Sequence, residues 1–128
     1  MQDGKFTVLC IDDDRHLLDS LRVVIEAGGY VMHEATSGKA GVEAFDRVKP
    51  DFVMVDMMME SIAAGINAAG AIRAKAPELP IYMLTSVGDQ MLDTVDPGKV
   101  QLTGVLQKPL DPHELLKLLK RELNDKAK

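Results

Sequence analysis

Asp12-Asp13-Asp14 stands directly behind the apolar run Phe6-Thr7-Val8-Leu9-Cys10-Ile11, and a second run, Phe52-Val53-Met54-Val55, delivers a single carboxylate at Asp56. Carboxylates gathered at strand ends can hold a hard divalent cation such as magnesium, and an isolated aspartate can attack phosphorus. Two more apolar stretches end in other polar groups: Ile81-Tyr82-Met83-Leu84 runs into Thr85-Ser86, and Val105-Leu106 into Gln107-Lys108-Pro109. Acids for a cation, an aspartate nucleophile, a hydroxyl and a lysine are together the parts of a phosphoryl-accepting site. The roles follow from charge. Asp56 would attack and become an acyl phosphate, magnesium and Lys108 would offset charge on the transferring oxygens, and Thr85 would donate a hydrogen bond to one of them.

For these residues to meet, the strands that carry them must lie side by side and parallel, because the carboxyl ends of neighbouring strands in an open parallel sheet face one crevice. The chain alternates strand-like and helix-like patterns throughout, as right-handed βαβ units require. After the first strand, Asp14 caps a helix in which Leu17, Leu18, Leu21, Val24 and Ile25 recur at helical spacing until Gly28-Gly29. Val31 to Ala35 reads as a second strand, and Ser37 opens a helix with Ala40, Ala44, Phe45 and Val48 inward. A third helix is expected from about Asn67 to Lys75, closed by Pro77 and Pro80, before the fourth strand. Gln90 to Val95 allows only a short or irregular fourth helix before Asp96-Pro97-Gly98 breaks it. Pro112 suits the first turn of a last helix with Leu115, Leu116, Leu118, Leu119 and Leu123 along one stripe.

Composition narrows the function classes. A chain of 128 residues, 46% hydrophobic and 27% charged, is sized for one soluble α/β domain. No apolar run approaches the roughly 18 residues of a membrane span, and Met1-Gln2-Asp3-Gly4-Lys5 has no signal-peptide pattern, so a cytoplasmic protein without membrane insertion is expected. The net charge of −5 argues against direct nucleic-acid binding. Basic residues gather only near the end, where Lys117, Lys120, Arg121, Lys126 and Lys128 alternate with Glu122 and Asp125 as a solvated helix end. The lone Cys10 lies within a strand and reads as core, Met57-Met58-Met59 as packing, and His16, His33 and His113 are too scattered for a zinc site.

With Asp12-Asp13, Asp56, Thr85-Ser86 and Lys108-Pro109 in this order, the chain resembles the response regulator receiver domain of two-component signalling, in the manner of the chemotaxis regulators. The resemblance implies a flavodoxin-like, doubly wound five-stranded parallel sheet of order 2-1-3-4-5 with helices on both faces. It implies one receiver domain over residues 5–124, with no second domain. It implies that Asp13, Asp56 and the backbone carbonyl of Met58 ligate Mg2+, with Asp12 acting mainly through water. The phosphoryl donor would be a histidine kinase or a histidine phosphotransfer protein and the output a downstream protein target, and phosphorylation-dependent homodimers are compatible with this. The domain would not be an enzyme in the ordinary sense but would assist its own phosphorylation and dephosphorylation.

Several positions depart from the family pattern. Glu60 stands where many receivers have proline, Ser61-Ile62-Ala63-Ala64-Gly65 replaces the segment that usually brings Asp-Gly, and Val105 stands where an aromatic ring often changes rotamer. Met58 and Val87, both apolar, occupy positions that often influence phosphoryl lifetime and are expected to lengthen it. These departures leave room for a degenerate receiver that binds partners without phosphorylation. A phosphatase with an aspartate nucleophile would use the Asp-x-Asp of residues 12 to 14, but needs a later acidic pair that does not follow Lys108. A flavin binder is disfavoured by the absence of a Gly-rich loop after the first strand.

Overall fold

The computed structural model describes residues 1–57, 59, 61–86 and 101–125, with residue 62 described by its backbone. Five strands of four or five residues alternate with helices: β1 (Thr7–Ile11), α1 (Arg15–Ala27), β2 (Val31–Ala35), α2 (Gly38–Val48), β3 (Phe52–Asp56), α3 (Ile62–Lys75), β4 (Ile81–Thr85), β5 (Gly104–Gln107) and α4 (Pro112–Leu119). The strands pair in parallel in the order β2-β1-β3-β4-β5. The expected sheet is therefore present, and the expectation for Gln90 to Val95 lies outside the described residues.

Local chemistry explains the helix boundaries. Asp14 Oδ1 accepts from the backbone N–H of His16 and Leu17 at the start of α1, and Ser37 Oγ accepts from Ala40 at the start of α2. Gly29, at a φ of 91°, lets the chain turn out of α1 toward β2. Asp111 caps α4, with Pro112 in its first turn.

α3 begins five residues before the expected Asn67, at Ile62. Its early residues are mostly small and show no apolar stripe, so periodicity misses them, but Ser61 Oγ accepts from Ala64 N–H and marks the start. α4 runs on into a π-helical turn, Lys120–Asp125.

Because successive strand residues face opposite sides, each strand feeds two cores. Val8, Cys10, Phe52, Met54, Tyr82 and Leu84 pack with the leucines of α1 and α4. Leu9, Ile11, Val53, Val55, Ile81 and Met83 pack with α2 and α3 on the other side. Burying one large apolar side chain contributes about 1.5–3 kcal/mol, so these two layers hold the strand ends in register.

Two polar anchors brace the sheet. Tyr82 stacks on Phe52, and its hydroxyl bonds Glu122 Oε1 at 3.2 Å, so Glu122 is buried and only its neighbours make a solvated helix end. Arg73 reaches from α3 to the carbonyls of Ala76, Pro77 and Gln101 and to Thr103 Oγ1, which also accepts from Ile81 N–H. No described helix is long and apolar enough to cross a membrane.

Candidate functional site

Strand register decides which side chains can converge. Ile11 pairs with Val55, so Asp12 leaves β1 level with Asp56 at the end of β3. Asp56 pairs with Leu84 and Thr85 with Gln107, which places Lys108 further along than Asp56. A long side chain can fold back over that distance, and Lys108 does so. Its Nζ lies 3.1 Å from Asp12 Oδ2 and 3.2 Å from Asp56 Oδ1.

The acids differ in exposure. Asp12 is fully buried and Asp56 is 5% exposed, whereas Asp13 faces solvent. Asp12 is fixed from both sides, since its Oδ1 accepts from the backbone N–H of Asp14 at 2.9 Å while its Oδ2 meets Lys108. One carboxylate oxygen from each of Asp12, Asp13 and Asp56 lies within 4.8 Å of the others. This donor set is all oxygen, is open on the Asp13 side and fits a hard cation such as magnesium. Burial works against the Lys108 ammonium, but Asp12 and then Asp56 outweigh it and hold the lysine pKa above its ordinary value. The lysine therefore stays charged at neutral pH.

Thr85 is buried beside this cluster, and its carbonyl accepts from the Lys108 backbone N–H at 2.6 Å. Its hydroxyl reaches the Leu106 carbonyl at 3.5 Å, beyond the usual range for a hydroxyl donor, so little energy holds it there. Five of the six residues singled out in the sequence thus gather at one strand edge: Asp12, Asp13, Asp56, Thr85 and Lys108. Met58 lies outside the described residues, as do Glu60 and Val87. Val105 is on β5 opposite Met83 and 38% exposed. Met57 and Met59 are buried in the core beside α2 and α3, as their packing role requires. Asp111 is committed to capping α4, so it does not supply the later acid that a phosphatase would need.

The response regulator receiver domain family matches residues 8–120. The chain belongs to that family. This receiver is 30% identical over 115 residues to the chemotaxis protein CheY of Thermotoga maritima, covering 89% of this chain and 94% of CheY. It is 32% identical over 124 residues to the response regulator MprA of Mycobacterium leprae, covering 94% of this chain but 54% of MprA. The receiver thus spans about half the length of relatives such as MprA. The structure of chemotaxis protein CheY4 of Vibrio cholerae superposes with a TM-score of 0.83 at 26% identity, covering 94% of this chain and all of CheY4. The acidic pocket of Asp12, Asp13 and Asp56 is consistent with a receiver's phosphoacceptor and magnesium site. Receivers are signalling domains that work with histidine kinases.

Proposed function

We propose that Asp56 is the phosphoacceptor of this receiver and that residues 5–124 form its single signalling domain, working in the cytoplasm. A phosphohistidine on a histidine kinase or histidine phosphotransfer protein supplies the phosphoryl group. A carboxylate oxygen of Asp56 forms the new P–O bond as the P–N bond breaks, the electron pair returns to the imidazole, and that nitrogen then takes a proton. Asp12, Asp13 and Asp56, with the Met58 carbonyl, would hold Mg2+, which when bound offsets negative charge on these acids and on the transferring oxygens. Lys108 moves from bridging two carboxylates to pairing with the phosphoryl oxygens, and Thr85 exchanges its long contact to Leu106 for one of them. The domain in this way assists its own phosphorylation and, with water, its dephosphorylation.

The observation that carries the proposal is Lys108 bridging buried Asp12 and Asp56 at 3.1 and 3.2 Å. Phosphorylation shifts a two-state equilibrium toward the form in which Thr85 has moved, and the altered surface then binds a downstream protein. Intact mass after incubation with Mg2+ and acetyl phosphate tests this. One added phosphoryl group on wild type and none on Asp56→Asn is expected. No addition despite measurable Mg2+ binding would instead assign the protein to phosphorylation-independent interaction.

A further inference from the structure

Gly65 lies in the first turn of α3, in regular helix and not in a left-handed turn. What it supplies is room. A methyl group added there would lie 2.6 Å from the Asp56 carbonyl oxygen and 3.0 Å from that of Met57. Both are backbone atoms with no rotamer by which to move aside. Gly70 in the same helix would meet nothing within 4 Å, so helix α3 does not need glycine in general.

The Asp56–Met57 backbone is held from the other side as well. Met57 N–H donates to Leu84 O at 2.9 Å, and the Met57 side chain is fully buried. Ser61 and Ala64 fix the first turn of α3 through the N-cap bond of 3.1 Å. The end of β3 is therefore clamped between β4 and α3, and the α3 jaw closes because residue 65 has no side chain.

We propose that Gly65 is a positioning residue for phosphoryl acceptance: it seats the first turn of α3 on the Asp56 and Met57 carbonyls and thereby sets the direction in which the Asp56 carboxylate leaves the strand. The inference rests on Asp56 being the acceptor. Moving α3 outward by a few tenths of an ångström tilts the Asp56 peptide and alters the approach to Lys108 and Asp12, now 3.2 and 3.1 Å from each other's charged atoms along the Asp56–Lys108–Asp12 chain. In-line attack is sensitive to displacements of this kind.

The test follows phosphoryl addition over time by intact mass in the full chain with Mg2+ and acetyl phosphate. It compares wild type with Asp56→Asn, Gly65→Ala, Gly70→Ala and Gly28→Ala. Gly28→Ala places its methyl 2.6 Å from Leu116 Cδ2 on the opposite face, and reports loss of stability remote from Asp56. The expected result is a fall of about tenfold or more in the rate at saturating donor for Gly65→Ala, with the half-saturating donor concentration unchanged. Gly70→Ala and Gly28→Ala keep the wild-type rate. A wild-type rate in Gly65→Ala overturns the proposal, as does an equal loss in Gly28→Ala at the same drop in melting temperature. Wild type that takes no phosphoryl group removes the acceptor assignment and this proposal together, a result distinct from either. If Gly65→Ala does not fold, Gly65→Ala with Gly70→Ala regains helix propensity. A double variant that is still unfolded assigns Gly65 to folding alone and overturns the proposal.

Discussion

The two faces of the sheet are built differently. On one, α1 and α4 set Leu18, Leu21, Ile25, Leu115, Leu118 and Leu119 against the strands. On the other, Gly41, Ala44 and Ala69 pack among the larger Phe45 and Ile72, and α2 meets α3 where Gly38 faces Ala64 and Ala68. Large side chains keep a helix at a distance and can repack when disturbed, whereas a glycine set against backbone, as Gly38 is, has nothing that can yield. The same added methyl shows the contrast. At Gly28 it meets the tip of Leu116, and at Gly38 it meets the carbonyl oxygen of Ala64 at 2.8 Å. Both faces thus bury large side chains, and the α2–α3 face adds a close backbone contact that fixes placement.

Substitutions on each face can break or sharpen that contrast. Leu119→Ala on the leucine face removes a fully buried side chain and is expected to cost about 2–5 kcal/mol in denaturant unfolding. Gly38→Ala is expected to cost about 1–3 kcal/mol through overpacking, and more than Gly28→Ala measured beside it. Equal losses would remove the distinction between the faces. Tyr82→Phe takes one hydrogen bond from buried Glu122 and is expected to cost about 1–3 kcal/mol in thermal unfolding. Gly70→Ala should stabilise by about 0.5–1 kcal/mol, since its site is open.

The smallest effect is confined to acid pH. The hydrogen bond from Arg22, opposed by burial and helped by Arg15, holds the Glu34 pKa below its usual 4.5. A depressed carboxyl contributes stability above its unfolded pKa and loses it as pH falls through the folded value. Glu34→Gln should therefore flatten the stability curve below about pH 4.5 and leave its slope near pH 7 unchanged.

How much of this was legible in the sequence depends on the kind of signal. The strands, α1, α2 and α4 follow from apolar periodicity and from Asp14, Ser37 and Pro112, because caps and stripes are local. The convergence of Asp12, Asp56 and Lys108 was readable because parallel strand ends must share an edge. The early start of α3 was hidden because Ala63, Ala64 and Gly65 carry no stripe, although Ser61 gave the cap. Glu122 looked like one more charge in a solvated run, and its burial depends on Tyr82, far away in sequence. The need for glycine at position 65 is likewise a contact with a backbone distant in the chain, which no local pattern records.

Arg73 gives the pairing of β4 with β5 a further property. Its guanidinium holds Gln101 and Thr103, and Thr103 is joined to Ile81 through both its N–H and its hydroxyl. At the other end, the Thr85 carbonyl is tied to Lys108. β4 and β5 are thus joined to each other near their starts and near their ends. The two strands therefore act as one lever: a shift of Thr85 is carried directly to Lys108, so the hydroxyl and the ammonium at the site are geared together and not free to move separately.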